Sequence, residues 1–384
     1  SGEPFKHNGV SGVHLASVMK DRNETHPARR YKMICFVDRP SQKRGYHTMV
    51  SPDGLNWSHF SREPIAPGSD VITGYYDERR RLYLAFPKIG TRIRGHRRRV
   101  FYVTTSEDFV HWTRPELALW PDLEDDAGSL GRIEKLRSQL DVPDDPNLMR
   151  TEFYGMGFHL TESCTLAFPW LFTINNNARY GNHEGPGELQ LAVSRDLLHW
   201  ERPLREPCVV PGELDEWDRG FFVTQSRALE VGDEVWLYYC GSTYTHGDPC
   251  LYRAEGPGRG TRHTGSIGLA RWKKDRFVSV DAPAEGGSLT TIPIIFSGDR
   301  LEINARTARA GKIVVEILDP AGKRLSAWEP SQSWRGAGLR EEIARGGGTQ
   351  LAKLQGEPIS LRFHLEDAQL FSFAFRKGEE GGAA

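Results

Sequence analysis

Two carboxylates, Asp70 and Glu152, stand at matching places in repeated segments of this chain. In each segment a Leu-Ala-Phe triplet begins 14 residues after the acid, at Leu84 and at Leu166. Two acids converging on one pocket are what cleavage of a glycosidic bond requires. One protonates the leaving oxygen, and the other activates water or attacks carbon. The bland alternative for each acid is a turn cap or an ion pair. His14 and Gln225 occupy the corresponding starts of two further segments. Arg150 lies two residues before Glu152, so on a strand it shares that face and could hold a carboxylate or an anionic substrate. Asp218 and His246 fall in polar loops around the last segment, where His246 could bind a sugar hydroxyl. Trp170, followed by Asn175-Asn-Asn177, offers a stacking face beside amides, with core packing as its other reading. No phosphate-binding Gly-rich loop, nucleophile elbow or His/Cys metal cluster is present. The expectation is a site with no metal and no cofactor.

The elements that would position these residues repeat along the chain. Ser51-Pro-Asp-Gly-Leu-Asn-Trp57, Ser106-Glu-Asp-Phe-Val-His-Trp112 and Ser194-Arg-Asp-Leu-Leu-His-Trp200 share one spacing, Ser-x-Asp-x-x-x-Trp. Each follows an alternating apolar strand, and Ile267–Trp272 is a degenerate fourth copy. The Ser/Asp pair suits a backbone-binding turn and the Trp suits packing between sheets. A hairpin precedes each copy, as in Asp70–Tyr76 returning through Leu82–Phe86. Hairpin, third strand, Ser-x-Asp turn and Trp strand make a four-stranded blade, and blades bury faces that none could bury alone. Four blades are expected, at roughly 10–60, 68–118, 148–204 and 218–281, with inner strands beginning near 12, 70, 151 and 222. The fold class is therefore all-β: a β-propeller over 1–285, with a fifth blade if one precedes Ser1, then a β-sandwich.

Other stretches interrupt or follow this pattern. The acidic insertion 119–147 reads as a solvated excursion, with a lid or a structural calcium site as alternatives. The arginine run Arg92–Arg99 reads as a solvated loop rather than an anion-binding patch. Without interleaved aromatics it does not point to nucleic acid. Beyond Gly286, Leu301–Ala305, Lys312–Leu318, Pro358–His364 and Gln369–Phe375 alternate strictly and predict a sandwich over 286–376. The tail 377–384 is expected to be disordered.

With 38% hydrophobic residues and a net charge of −1 in 384 residues, neither disorder nor a polyanion-binding protein is indicated. No apolar run approaches the ~18 residues of a membrane span, so no membrane partner is expected. Of the five cysteines, Cys35, Cys164 and Cys240 lie in apolar strand-like runs and read as buried thiols. The chain shows no signal-peptide pattern at Ser1-Gly2, which leaves compartment, like oligomeric state, open.

With its Ser-x-Asp-x-x-x-Trp blade ends, the hairpin Asp70–Phe86, Glu152-Phe-Tyr-Gly-Met-Gly157 and Trp236-Leu-Tyr-Tyr239, the chain resembles a known superfamily. This is the five-bladed propeller glycoside hydrolases of the invertase, levansucrase and arabinanase group (families 32, 43 and 68), of which it looks like a divergent branch. The resemblance implies a glycoside hydrolase acting on an oligo- or polysaccharide. Glu152 matches the general acid and Asp70 the supporting acid; the third carboxylate of that group is missing, and His14 stands where the blade before Asp70 should supply it. The rival readings are a glycoside phosphorylase or transferase, in which Arg150 or an arginine of 92–99 binds phosphate, a non-catalytic carbohydrate-binding propeller, and a protein-interaction scaffold.

Overall fold

The structure is a computed structural model describing residues 14–38, 43–179, 182–213, 216–247, 264–325, 328–343 and 351–377. Strands outweigh helices, 52% to 7%, so the all-β class holds. The tail 378–384 lies outside the described residues. The chain divides into two compact units, Ser1–Leu229 with Trp236–Ala270, and Glu230–Val235 with Arg271–Ala384.

The first unit is a succession of antiparallel sheets. Strands β1 (His14–Lys20), β2 (Tyr31–Val37), β3 (Gly45–Ser51) and β4 (Ser58–His59) form the first, in chain order. Strands β5 (Ile72–Asp77), β6 (Leu82–Ile93), β7 (His96–Ser106) and β8 (Glu116–Leu119) form the second in the same way. Two short helices follow, α1 (Leu123–Ala127) and α2 (Ser129–Lys135). In the third sheet β9 (Arg150–Leu160) pairs with β10 (Thr165–Ile174). After a small ribbon of β11 (Asn176–Asn177) and β12 (His183–Glu184), β13 (Gly187–Leu189) and β14 (Ala192–Ser194) pair with β10 in turn. The fourth sheet gathers β15 (Phe221–Thr224), β16 (Leu229–Val231) and β18 (Gly265–Lys273) around β17 (Glu234–Ser242).

Adjacent sheets pack face to face. Ile34, Phe36, Tyr46, Ile72 and Phe109 fill the space between the first two. Tyr75, Phe86, Phe158 and Leu171 join the second to the third, with Phe86 stacked on Phe158 at 4.4 Å. Val71, Trp170, Leu189, Phe222 and Tyr239 join the third to the fourth. The first strands lie side by side. Ser17 donates to the Gly74 carbonyl at 2.6 Å, Thr73 to the Met156 carbonyl at 2.7 Å, and the Phe158 amide to the Ser226 carbonyl at 3.0 Å. Central strands are therefore buried on both faces, which is why β2 and β10 read as nearly continuous apolar runs. Of the cysteines expected to be buried thiols, Cys35 is buried, Cys164 is half-buried and Cys240 is the outlier. It is exposed, because Val235, Leu237 and Tyr239 take the inward face of β17.

The Ser-x-Asp-x-x-x-Trp segments are turns of one design. Asp53, Asp108 and Asp196 each accept two backbone amides through one oxygen, and each Trp indole donates to the carbonyl three residues earlier. That carbonyl belongs to a residue of positive φ: Gly54 (80°), Phe109 (66°) and Leu197 (73°). Glycine adopts this conformation freely; Phe109 and Leu197 are held there by their buried side chains.

The insertion 119–147, expected to be solvated, is pinned instead. Arg94 and Arg98 clamp Asp126, Arg202 holds Asp125 and Arg205 holds Asp122. Those first two arginines also correct the reading of Arg92–Arg99. It is the extended tip of the β6–β7 hairpin, and Arg98 is buried.

In the second unit β19 (Val280–Ala282), β20 (Gly287–Thr290), β21 (Arg300–Leu318), β22 (Ala337–Glu342) and β23 (Ser360–Arg376) form one hydrogen-bonded sheet. The four alternating segments are the halves of two long strands, β21 and β23, which shift register between Thr307 and Lys312. Their inward residues, among them Ile303, Val315, Leu361 and Phe363, make a core of their own. Val280–Ala282 lies in this unit and pairs with β23.

Candidate active site

Asp70 and Glu152 belong to one cluster of charged and aromatic side chains at the starts of β5 and β9. Asp70 lies two residues before β5, in a left-handed conformation at φ 76°. An aspartate tolerates this region better than most residues, and such strain concentrates at functional sites. Its Oδ2 accepts from Lys88 Nζ at 2.9 Å and from the Tyr154 hydroxyl at 3.1 Å. The carboxyl is 34% exposed.

Glu152 is the third residue of β9 and is buried. Arg150 Nε donates to its Oε1 at 2.7 Å, and Arg99 Nη1 to its Oε2 at 2.5 Å. Burial pushes its pKa up, but the two guanidinium groups outweigh burial and hold it below the ordinary glutamate value. Glu152 is therefore ionised at rest.

Tyr154, two residues beyond Glu152 on the same face of β9, links the two acids. Its hydroxyl touches Asp70, Lys88 Nζ sits 4.1 Å from its ring centroid, and the Arg99 guanidinium 5.2 Å. Burial lowers Lys88 to about 8, although neighbouring Asp70 pulls the other way. His246 closes the aromatic side, 4.9 Å from Tyr154 and 4.5 Å from Phe172, with Phe221 beside both. Its Nδ1 donates to the His183 carbonyl at 2.7 Å, and burial lowers its pKa to about 4, so the ring is neutral. Arg150 Nη2 reaches His183 Nε2 at 3.2 Å.

The other sequence candidates lie elsewhere. Trp170 packs in the core between the third and fourth sheets, its indole donating to Thr224 Oγ1 at 3.0 Å. Asp218 accepts from the Tyr239 hydroxyl at 2.8 Å. Gln225 falls in the break between β15 and β16, where its amide donates to the carbonyls of Arg227 and Trp236. The strand start that corresponds to Arg150 is Phe221, four residues earlier. His14 does open β1, but its side chain is outside the described ones. Among the described residues no group of three or more His, Cys, Asp or Glu could hold a metal ion.

Lys88, Tyr154 and His183 escaped the sequence reading, and Arg99 was read only as one of the run 92–99. Tyr154 was within reach, since an i+2 residue shares its strand face. Lys88 and Arg99 come from β6 and β7, and only pairing with β5 and packing against β9 brings them in.

No protein-family model matches the sequence, and no curated protein is significantly similar to it. The chain does resemble solved structures of carbohydrate-active proteins, glycoside hydrolases among them. An N-acetylgalactosamine deacetylase from F. plautii, solved with blood group B trisaccharide, is 12% identical (TM-score 0.39; 68% of this chain, 90% of that one). A thermostable family-43 glycoside hydrolase is 12% identical (TM-score 0.44; 67% and 71%). A β-1,2-mannobiose phosphorylase from Listeria innocua is 15% identical (TM-score 0.42; 70% and 60%). At this distance the chemistry of the site has to be argued from its own side chains.

Proposed function

We propose that this chain is a carbohydrate-active enzyme that cleaves a glycosidic bond at Asp70 and Glu152. Its four sheets are the blades of a β-propeller, and its second unit is a bent form of the β-sandwich. The observation that carries the function is the state of Asp70: a partly exposed carboxylate on strained backbone, held by Lys88 and Tyr154 and joined through Tyr154 to a second acid. A carboxylate fixed this way is suited to act on a sugar's anomeric centre, directly or through a water it activates. Glu152 could serve as proton donor only if it carried a proton at rest, which Arg99 and Arg150 oppose. Its role is to hold both arginines in place. His246, neutral at neutral pH, is suited to a sugar hydroxyl.

One observation favours a second reading. Lys88 on accessible Asp70, and Arg99 and Arg150 on buried Glu152, bring three basic groups into a cluster with one accessible carboxylate. Phosphorolysis needs one acid and an anion as nucleophile, so phosphate attack fits a site with one accessible acid.

The test is a panel of arabinan, xylan, mannan and levan oligosaccharides assayed for new reducing ends, with and without phosphate. Turnover by the wild type, reduced roughly 10²–10⁴-fold in Asp70→Asn, supports glycosidic cleavage, and a phosphate requirement selects phosphorolysis. Saturable sugar binding without turnover would make the chain a carbohydrate-binding protein instead.

A further inference from the structure

A cavity of about 460 Å³ lies behind the strand pair that carries Glu152. Glu152 and Phe172 are cross-strand partners facing the charged cluster; their neighbours Thr151 and Thr173, also partners, face the other way. Both threonine hydroxyls accept from Arg132 of α2, at 2.6 Å from Nη2 and 2.7 Å from Nε. Nη2 also donates to the Asp125 carbonyl, while Nη1 makes no hydrogen bond among the described residues.

Glu188 of β13 lines the same cavity. Gln190 donates to its Oε1 at 2.8 Å; Oε2 has no hydrogen bond among the described residues. Burial raises the pKa of Glu188 and lowers that of Arg132, each partly offset by the other's charge. The two feel one another, yet no ion pair joins them.

Opposite charges that line one cavity without touching are complementary to a group that both donates and accepts. A hydroxyl gives its proton to the carboxylate and offers its lone pair to the guanidinium; a vicinal diol does both at once. Leu136, Pro186, Pro207 and Val210 add apolar surface for C–H groups. The lining carries three basic and three acidic side chains, a balance that favours an uncharged ligand. The volume is that of a small-molecule site. We propose that this cavity is a second binding site, taking a neutral saccharide ring whose adjacent hydroxyls bridge Glu188 and Arg132.

The site stands independently of the chemistry at Asp70. The experiment is saturation-transfer difference NMR on the whole chain with glucose, galactose, mannose, xylose, arabinose and their β-linked disaccharides. At least one should bind, with affinity at least about tenfold weaker in Glu188→Leu, the loss expected for a hydrogen bond to a charged group. Val210→Trp, a substitution at a 78% exposed rim residue, should block the mouth to the same extent without disturbing the interior. It carries the test alone should Glu188→Leu fail to fold. Binding should persist in Asp70→Asn. Saccharide binding insensitive to folded variants at both positions, no saccharide binding at all, or displacement by putrescine or acetate would overturn the proposal.

Discussion

Lys88 and Glu152 are buried charges on either side of Tyr154, and each sets what its neighbours can do. Lys88 loses its proton near pH 8, and with it goes the cation that holds Asp70. Turnover should fall as pH rises through about 8, and Lys88→Arg should move that limb upward. The linkage runs opposite to activity. Because the folded pKa lies below the ordinary lysine value of 10.5, the folded state binds fewer protons between about 8 and 10.5, and stability rises there. Below pH 8 the charged lysine costs up to roughly 3 kcal/mol. Lys88→Met should therefore abolish turnover while leaving Tm at pH 7 unchanged or higher; a clear loss of Tm would make Lys88 structural. Glu152 has the opposite sign. Its lowered pKa contributes stability that is present above about pH 4.5 and lost as pH falls through the folded value. Glu152→Gln leaves buried Arg150 and half-buried Arg99 without their anion, which should cost about 3–5 kcal/mol and lower Tm in a thermal melt. A carboxyl that rested protonated would show no such loss.

At the scale of elements, ion pairs do what a short helix cannot do alone. Helix α1 has five residues, too few to be stable in isolation. It is held by an Asp122–Asp125 capping box and by arginines from two sheets. Asp126→Ala removes the anion shared by Arg94 and Arg98, the latter only 2% exposed. Limited proteolysis of that variant should begin within 119–147, at least tenfold faster than in the wild type, for a local loss of about 1.4 kcal/mol or more. Unchanged protection would show that packing of Ile133 and Leu136 suffices.

At the scale of the first unit, one side chain of the first sheet secures the candidate carboxylate beside the second, Asp70. The Tyr46 hydroxyl lies 2.9 Å from the Ser69 carbonyl, 2.8 Å from that of Val71 and 3.0 Å from that of Lys88. It brackets Asp70 and ties its turn to β6. Gly68, at φ 145°, lets the chain cross the tyrosine ring, where a Cβ would come within 2.4 Å of Cε2. Tyr46→Phe leaves buried carbonyls without their donor, a cost of about 1–3 kcal/mol. It should also lower kcat about tenfold or more, since a small misplacement of a reacting group is expensive. Full kcat with reduced Tm would confine the tyrosine to stability.

What the sequence determined by itself is what short-range physics decides. The Ser-x-Asp turns are local hydrogen-bond circuits, so their spacing was readable, and with it the succession of sheets whose first strands begin at 14, 72, 150 and 221. Asp70, Glu152, Arg150 and His246 were legible as candidates because three lie beside strand starts and the fourth in a polar loop. Long-range pairing decided the rest. Alternation is identical in two strands and in one long bent strand, so only the register of β21 against β23 reveals one sheet. Gln225 and Phe221 read alike as strand starts until the break after β15 separates them. The arginine run and the acidic insertion each look solvated until folding sets them against one another. The state of Glu152 belongs to the same class: a glutamate in a sequence has no pKa of its own, and Arg99, 53 positions away, keeps it ionised.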